Sequence, residues 1–467
     1  MHGMLSRERV LKERLCDYDA FLASKAQATN VSGFDPVFMP PDLFDFQASL
    51  VEWAVRKGRA AIFADCGLGK TLMELTWAEN VLRHTNKPVL ILTPLAVAAQ
   101  TVREGVKFGI EAKRSPDGKH GGGIVVSNYE RLHYFDPNDF AGVVCDESGC
   151  IKHFGGATQS AVTEFLRKMP YRLLATATPA PNDFIELGTS AEALGEIGRM
   201  DMLATYFVND ENSLHPIFWG ARWRFKAHAE PLFWRWLCSW ARAARKPSDL
   251  GDFDDSRFAL PPLVMRETVV ARREAFNGQL FALPAIGLDD QREERRMTLA
   301  ERCEMVVEKC AGSPSSLVWA SLNAETDLLE KIIPGAKQVS GNDSDEEKEE
   351  TFRAFAEGEL RVLVTKSKIA GWGLNFQNCA HTTFFPSHSY EAYHQSIRRM
   401  WRFGQTKPVV VDIIATEGEK NVMLNLQAKS EAADKMYDAL IREMNNELKV
   451  SRSVATTGKV EVPAWLS

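Results

Sequence analysis

From Arg59 onward, short apolar runs alternate with longer stretches of helical period. The runs are Arg59–Ala64, Val89–Thr93, Gly123–Ser127, Gly142–Cys145 and Tyr171–Thr176. This alternation predicts a parallel sheet covered by helices on both faces. Runs that end in polar or glycine residues place chemistry at the carboxyl edge of such a sheet. A second alternating block begins near Ala300, with runs Ser316–Ala320, Arg361–Thr365, Thr382–Phe385 and Val409–Ile414. Within it, Asn342-Asp343-Ser344 caps an expected helix that runs through Phe355 and stops at Gly358. Between the blocks the character changes. Trp219, Trp223, Trp234, Trp236 and Trp240 crowd among Arg222, Arg224, Lys226, Arg235, Arg242 and Arg245. The Pro/Gly/Asp-rich stretch from Lys246 to Pro262 then reads as a linker. The expected division is a helical lead-in at 1–40, a first α/β lobe at 41–198, and a Trp/Arg-rich helical segment with linker at 199–298. A second α/β lobe follows at 299–450 and a tail at 451–467.

Composition narrows the class. A chain of 467 residues exceeds one ordinary core. No stretch has the apolar length of a membrane span. The charged N-terminus, Met1 to Glu13, lacks the apolar region of a secretory signal. The eight cysteines form no CxxC pair, so we expect no zinc site and a reducing, cytoplasmic setting. A net charge of −6 argues against a whole-surface grip on nucleic acid, while leaving room for a local basic groove.

Three constellations carry chemistry. The first is Asp65-Cys66-Gly67-Leu68-Gly69-Lys70-Thr71, between the apolar run Arg59–Ala64 and a helix expected from Leu72 to Arg83. Glycines let the backbone turn tightly and aim N–H groups at a phosphate, and the helix start adds its positive dipole end. Lys70 can reach the β- and γ-phosphates, and Thr71 can hold Mg²⁺. The loop is compressed, with Ala64 where the usual pattern has its first glycine. The second is Asp146-Glu147-Ser148 at the end of an apolar run, where two carboxylates are costly without a cation. Asp146 suits Mg²⁺, and Glu147 suits orienting and deprotonating an attacking water. The third is His394 through Gln405. Gln395, Arg399 and Arg402 fall at i, i+4 and i+7, one face of an expected helix ended by Gly404. A row of guanidiniums suits a phosphoryl group developing charge. Taken alone, such a row is more often a basic solvated helix face.

In this order the pieces resemble superfamily-two helicases, specifically their Swi/Snf-type DNA translocases, over roughly Phe44 to Gly418. Phe44 and Gln47 sit where that family reads adenine. Thr93-Pro94-Leu95 and Ser127-Asn128-Tyr129-Glu130 resemble segments touching the nucleic-acid backbone. Thr176-Ala177-Thr178-Pro179 looks like the segment coupling the ATP and DNA sites. Ala370-Gly371-Trp372-Gly373-Leu374-Asn375 looks like the motif preceding the arginine helix. Gln395 to Gln405 fits Q-x-x-x-R-x-x-R-x-G-Q, the most branch-specific match. The sequence departs at Ala177, at Ser148-Gly149 and at the bulky Trp372.

The resemblance implies an α/β protein of two RecA-like lobes with ATP and Mg²⁺ in the cleft. Its nucleotide contacts would come from Phe44, Gln47, Gly67, Leu68, Gly69, Lys70, Thr71, Asp146 and Gly373. Its nucleic-acid contacts would come from Thr93, Ser127, Asn128, Lys366 and Asn375, with Thr176 and Thr178 coupling the sites. The implied partner is double-stranded DNA, with room for a directing protein, in a bacterial or phage-infected cell or on the nucleoid. The rivals are a strand-separating helicase and a non-hydrolysing nucleotide-dependent clamp. Of the tryptophans we expect an aromatic core rather than a base-stacking wedge.

Overall fold

The computed structural model describes residues 32–94, 97–151, 157–209, 223–270, 288–370, 374–387 and 389–456. Six strands build the first sheet: β1 (Arg59–Ala64), β2 (Val89–Thr93), β3 (Ala112–Arg114), β4 (Ile124–Asn128), β5 (Gly142–Asp146) and β6 (Tyr171–Ala175). All pair in parallel, in the order β3-β4-β2-β5-β6-β1. Most of their residues are buried on both faces, which is why they read as apolar runs rather than alternating ones. Helix α1 (Asp45–Lys57) precedes β1, and α2 (Lys70–Thr85) follows it. Strands β1 and β5 flank β6, so the segments after all three open side by side at one edge. Neighbouring strands stand about 4.8 Å apart, which puts the glycine loop and the acid pair within about 10 Å of each other.

The Trp/Arg-rich segment is part of this lobe. A short antiparallel pair, β7 (Phe207–Asn209) with β8 (Trp223–Phe225), leads to helix α3 (Ala229–Cys238). Strand β9 (Ala241–Ala244) then pairs with β1 and makes the sheet seven-stranded. Trp234 and Trp240 are buried, and Trp223 and Trp236 pack on the same core, with Phe184, Phe225 and Phe233 around Trp234. At about 200 Å² per ring and about 25 cal/mol per Å², each buried indole contributes roughly 5 kcal/mol of gross burial. The aromatic-core expectation holds for these rings; Trp219 lies outside the described residues.

The second sheet joins β10 (Leu263–Val270), β11 (Ser316–Ala320), β12 (Ala336–Gln338), β13 (Val362–Lys366), β14 (His381–Phe384) and β15 (Val409–Thr416). It is parallel throughout, in the order β10-β15-β14-β11-β13-β12. Helix α4 (Asp345–Ala356) starts on Ser344, whose hydroxyl accepts from Glu347 N while the Glu347 carboxylate caps Ser344 N. Helix α5 (Tyr390–Ile397) carries the start of the arginine segment. The architecture is thus two RecA-like α/β lobes.

Helix α6 (Lys420–Thr456) leaves β15 of the second lobe yet packs on the first. Its Met436, Tyr437, Ala439, Leu440 and Met444 belong to the core of the first lobe. Tyr437 Oη donates to Ala177 O at 2.8 Å, and Arg245 pairs with Asp434 and Asp438. Among the described residues, no helix is long and apolar enough to cross a membrane.

One expectation about local structure fails. The helix carrying Gln395, Arg399 and Arg402 stops at Ile397, and the chain continues to Gly404 in tight turns. The reason is competition for backbone groups. Arg399 O accepts Phe376 N at 2.9 Å, and Gln405 Nε2 donates to Met400 O, Gln377 O and Cys379 O. Tertiary donors take carbonyls that a continuing helix needs.

Candidate nucleotide site between the lobes

β1 delivers the glycine loop, and the loop runs straight into α2. Gly67 and Gly69 have φ of 92° and 78°, left-handed values that a Cβ would strain. Gly69 is the N-cap of α2, and Lys70 is its first residue, so backbone N–H groups converge where an anion is favoured. Lys70 Nζ donates to Ala64 O at 3.0 Å. Burial works against its charge, but Cys66, Glu147, Asp146 and Asp65 outweigh burial and raise its pKa. Gln47 is buried against the loop. Its Nε2 donates to Leu68 O at 2.8 Å, and its Oε1 accepts Phe44 N at 3.0 Å. One N–H and one lone pair of the amide remain.

At the adjacent strand ends stand the acids. Asp146 and Glu147 are both buried, and Glu147 sits at φ 49°, a left-handed conformation rare for its type. Thr176 Oγ1, at the end of β6, donates to Glu147 Oε2 at 3.3 Å and accepts Thr178 N at 3.1 Å. A further acid escaped the sequence reading. Glu74, 1% exposed, lies one helical turn past Lys70. Its carboxyl packs on that of Asp146, and neither oxygen meets a fixed donor. Burial and the neighbouring acids push its pKa well up. Burial and Glu147 likewise raise Asp146 to about 7. The available signal was the i, i+4 relation of Lys70 and Glu74. Buried carboxyls whose repulsion raises their pKa fit a divalent cation, which would relieve that repulsion. Thr71, half-buried at the start of α2, is placed to share in holding one.

The second lobe faces this edge. Arg399 Nη1 and Arg402 Nη1 both donate to Leu374 O, at 3.2 and 3.4 Å. Burial lowers the Arg399 pKa, Cys66 opposing and Arg402 adding to the effect. Gln395 is buried beside them. A Cβ at Gly67 would come 2.8 Å from Phe403 N, so the two lobes touch at the glycine loop. Asp65 meets Arg398 in an ion pair, with His394 Nε2 at 3.8 Å. The constellations expected from the sequence are therefore brought together, although the arginines reach the cleft from turns.

The expected nucleic-acid contacts are more scattered. Thr93 and Asn128 are register partners on β2 and β4. Thr93 Oγ1 donates to Pro94 O at 3.1 Å and Ser127 Oγ to Ser115 O at 2.8 Å, so both hydroxyls are turned inward, and Asn128 is buried. In the second lobe Lys366 bonds Asn323, and Asn375 is exposed. Gly373 lies outside the described residues.

Fold and cleft define a two-lobed α/β protein with a candidate nucleotide site between its lobes. Residues 305–404 match the helicase conserved C-terminal domain. The bifunctional helicase and thymine dioxygenase JBP2 of Leishmania braziliensis is 28% identical over 132 residues, covering 27% of this chain and 12% of that protein. The match therefore spans a small part of the relative's length. Among solved structures, Saccharomyces cerevisiae Dbp5 bound to RNA and ADP BeF3 aligns with a TM-score of 0.52 at 12% identity. It covers 85% of this chain and 93% of that one. The Sulfolobus solfataricus SWI2/SNF2 ATPase core in complex with dsDNA aligns at a TM-score of 0.42 and 16% identity, covering 88% and 96%. The likeness to Dbp5 is one of fold: two RecA-like α/β lobes.

Proposed function

We propose that this chain is a DNA-dependent ATPase motor that translocates on duplex DNA. The observation that carries the reading is the meeting of Lys70, Asp146 and Glu147 from one lobe with Arg399 and Arg402 from the other across a single cleft. Lys70 and the loop amides would hold the phosphates. Thr71 and Asp146 would hold Mg²⁺, which when bound neutralises charge on the phosphate oxygens. Glu147, aimed by Thr176, would accept the proton of the attacking water. Arg399 and Arg402 would exchange the Leu374 carbonyl for phosphate oxygens as charge develops on them. The spare N–H and lone pair of Gln47 match the N7 and N6 edge of adenine.

Preference for duplex DNA rests on the Gln395–Gln405 pattern. Nucleic acid would lie across both lobes and be held through its phosphates, so stepping would not depend on sequence. The test is ATP hydrolysis with duplex DNA, single-stranded DNA and RNA, paired with triplex displacement and fork unwinding. Duplex stimulation with triplex displacement is expected. Fork unwinding without triplex displacement would replace this reading with a strand-separating helicase. Lys70→Ala or Glu147→Gln should abolish turnover, and unchanged turnover would refute the site.

A further inference from the structure

The sequence reading of the arginine segment used Arg399 and Arg402 and left Arg398 without a task. We propose that Asp65 and Arg398 form an interlobe positioning pair that sets how the arginine segment meets the glycine loop. The consequence for turnover rests on the ATPase reading above.

Asp65 is the first residue after β1, and its carboxylate is held from both sides. Oδ1 accepts Cys66 N at 2.6 Å, and Oδ2 meets the Arg398 guanidinium. Arg398 is the first residue beyond α5, and its guanidinium lies 4.3 Å over the Trp401 ring. Trp401 Nε1 in turn donates to Pro261 O at 2.7 Å, in the linker. A continuous line therefore runs from the glycine loop through Asp65, Arg398 and Trp401 to the linker between the lobes. Side-chain exposures of 9% and 13% leave the pair little water. Removing one partner there strands the other charge.

The same corner holds Cys66 and His394, with ligand atoms of Asp65, Cys66 and His394 within 4.8 Å of one another. A soft metal ion is one occupant of such a trio, but Arg398 already supplies the cation to the carboxylate. His394 cannot replace that charge. Burial, opposed by Asp65 and reinforced by Arg398, pushes its pKa down to about 4, so it stays neutral. Position then follows from chain geometry. Arg398 adjoins Arg399, and the turns from 398 to 405 are pinned by Phe376 N on Arg399 O and by Gln405 Nε2 on Met400 O. A segment so short and so tied moves as a unit, so the ion pair fixes where Arg399 and Arg402 stand relative to Gly67.

The test is a charge swap in the full chain: Asp65→Arg, Arg398→Asp, and the double variant, with Asp65→Asn and Arg398→Gln as milder single changes. Four quantities are read: kcat and KM for ATP with saturating duplex DNA, affinity for a fluorescent ATP analogue, and the nucleotide-free radius of gyration by X-ray scattering. Each single reversal should lower kcat about tenfold or more, with a much smaller change in analogue affinity, because a positioning pair acts on the transition state. Each should also enlarge the particle. The double variant should recover most of both losses. If the single variants fold and their effects simply add in the double variant, or if kcat and particle size are unchanged, the proposal is overturned. Should the reversals not fold, Asp65→Asn and Arg398→Gln carry the test with their own double variant. Each single should lower kcat and enlarge the particle, and the double should lose little more than either single. Unchanged values or simply additive losses overturn the proposal. A wild-type chain that binds the analogue but does not hydrolyse ATP would sink the ATPase reading instead, and the scattering comparison would still decide the pair.

Discussion

Thr176→Val separates the aiming of Glu147 from its mere presence. The substitution keeps shape and removes one hydroxyl. That hydroxyl donates to Glu147 Oε2 at 3.3 Å and accepts Thr178 N at 3.1 Å. Glu147 has a backbone at φ 49°, a conformation costing a non-glycine residue about 1–2 kcal/mol, so its side chain depends on contacts rather than on a relaxed backbone. A hydrogen bond to a charged group is worth about 1.5–3 kcal/mol net, and the long distance here argues for the low end. About 1.4 kcal/mol corresponds to a tenfold change in rate, so kcat should fall about tenfold. The second lost bond leaves the Thr178 N–H buried without its acceptor, at about 1–3 kcal/mol. For a lobe of this size that lowers the melting temperature by several degrees, at about 2–4 °C per kcal/mol. The assays are steady-state hydrolysis with saturating duplex DNA and thermal melting. Thr176→Ser, which keeps the hydroxyl, should restore both. A Val variant that melts earlier but turns over within about twofold of wild type would refute the idea that Thr176 aims Glu147.

Further outcomes follow from the same geometry. Gly67→Ala should lower kcat more than ATP affinity, because its Cβ would come 2.8 Å from Phe403 N of the other lobe and φ is 92°; equal losses in hydrolysis and binding assays would count against closure at this point. Asp146, raised by burial and Glu147 to about 7, holds a proton in the folded state over a pH range where the unfolded carboxyl, near 3.8, has lost it. The folded state thus binds more protons between those values, so this group's contribution makes metal-free stability fall as pH rises from about 4 to 7. Stabilisation by Mg²⁺ should grow over the same range, and Asp146→Asn should flatten both trends in thermal melts. In the second lobe, Arg302 and Glu325 pair at 2.8 Å with both side chains fully buried. Arg302→Met alone should cost about 3–5 kcal/mol in urea unfolding, while Arg302→Met with Glu325→Gln should cost much less. A double variant as unstable as the single would show that the cost is lost packing.

How far the sequence speaks differs from element to element, for physical reasons. β1, β2 and β11 match their apolar runs end to end, because nearly all of their residues are buried on both faces. β9 was missed because Ala241-Arg242-Ala243-Ala244 has little strand preference of its own; it is a strand because β1 offers an edge and α6 covers it. β10 was missed for a different reason. It is an edge strand with most positions open to water, so neither an apolar run nor an alternation marks it. In the arginine segment, spacing placed Arg399 and Arg402 on one side, and both guanidiniums reach Leu374 O. The continuing helix was wrong, since donors on Phe376 and Gln405 compete for its carbonyls. Asp65 and Arg398 lie 333 positions apart, and no local pattern encodes their meeting.

The cations of the cleft show why motifs identify parts but not their arrangement. Lys70 rests on Ala64 O, and Arg399 and Arg402 share Leu374 O. Each carbonyl is a neutral acceptor serving a full charge, a weaker partner than an ionised oxygen. A triphosphate would therefore offer Lys70, Arg399 and Arg402 a stronger acceptor than these carbonyls. Arg398 is the exception, since the Asp65 carboxylate already matches its charge. Among the described residues, Lys70, Arg399 and Arg402 thus donate to carbonyls in the cleft, while Arg398 is paired with a carboxylate across the lobes. The proposed ATPase would use both, because charges that change partner act on a phosphate only against a frame that holds still.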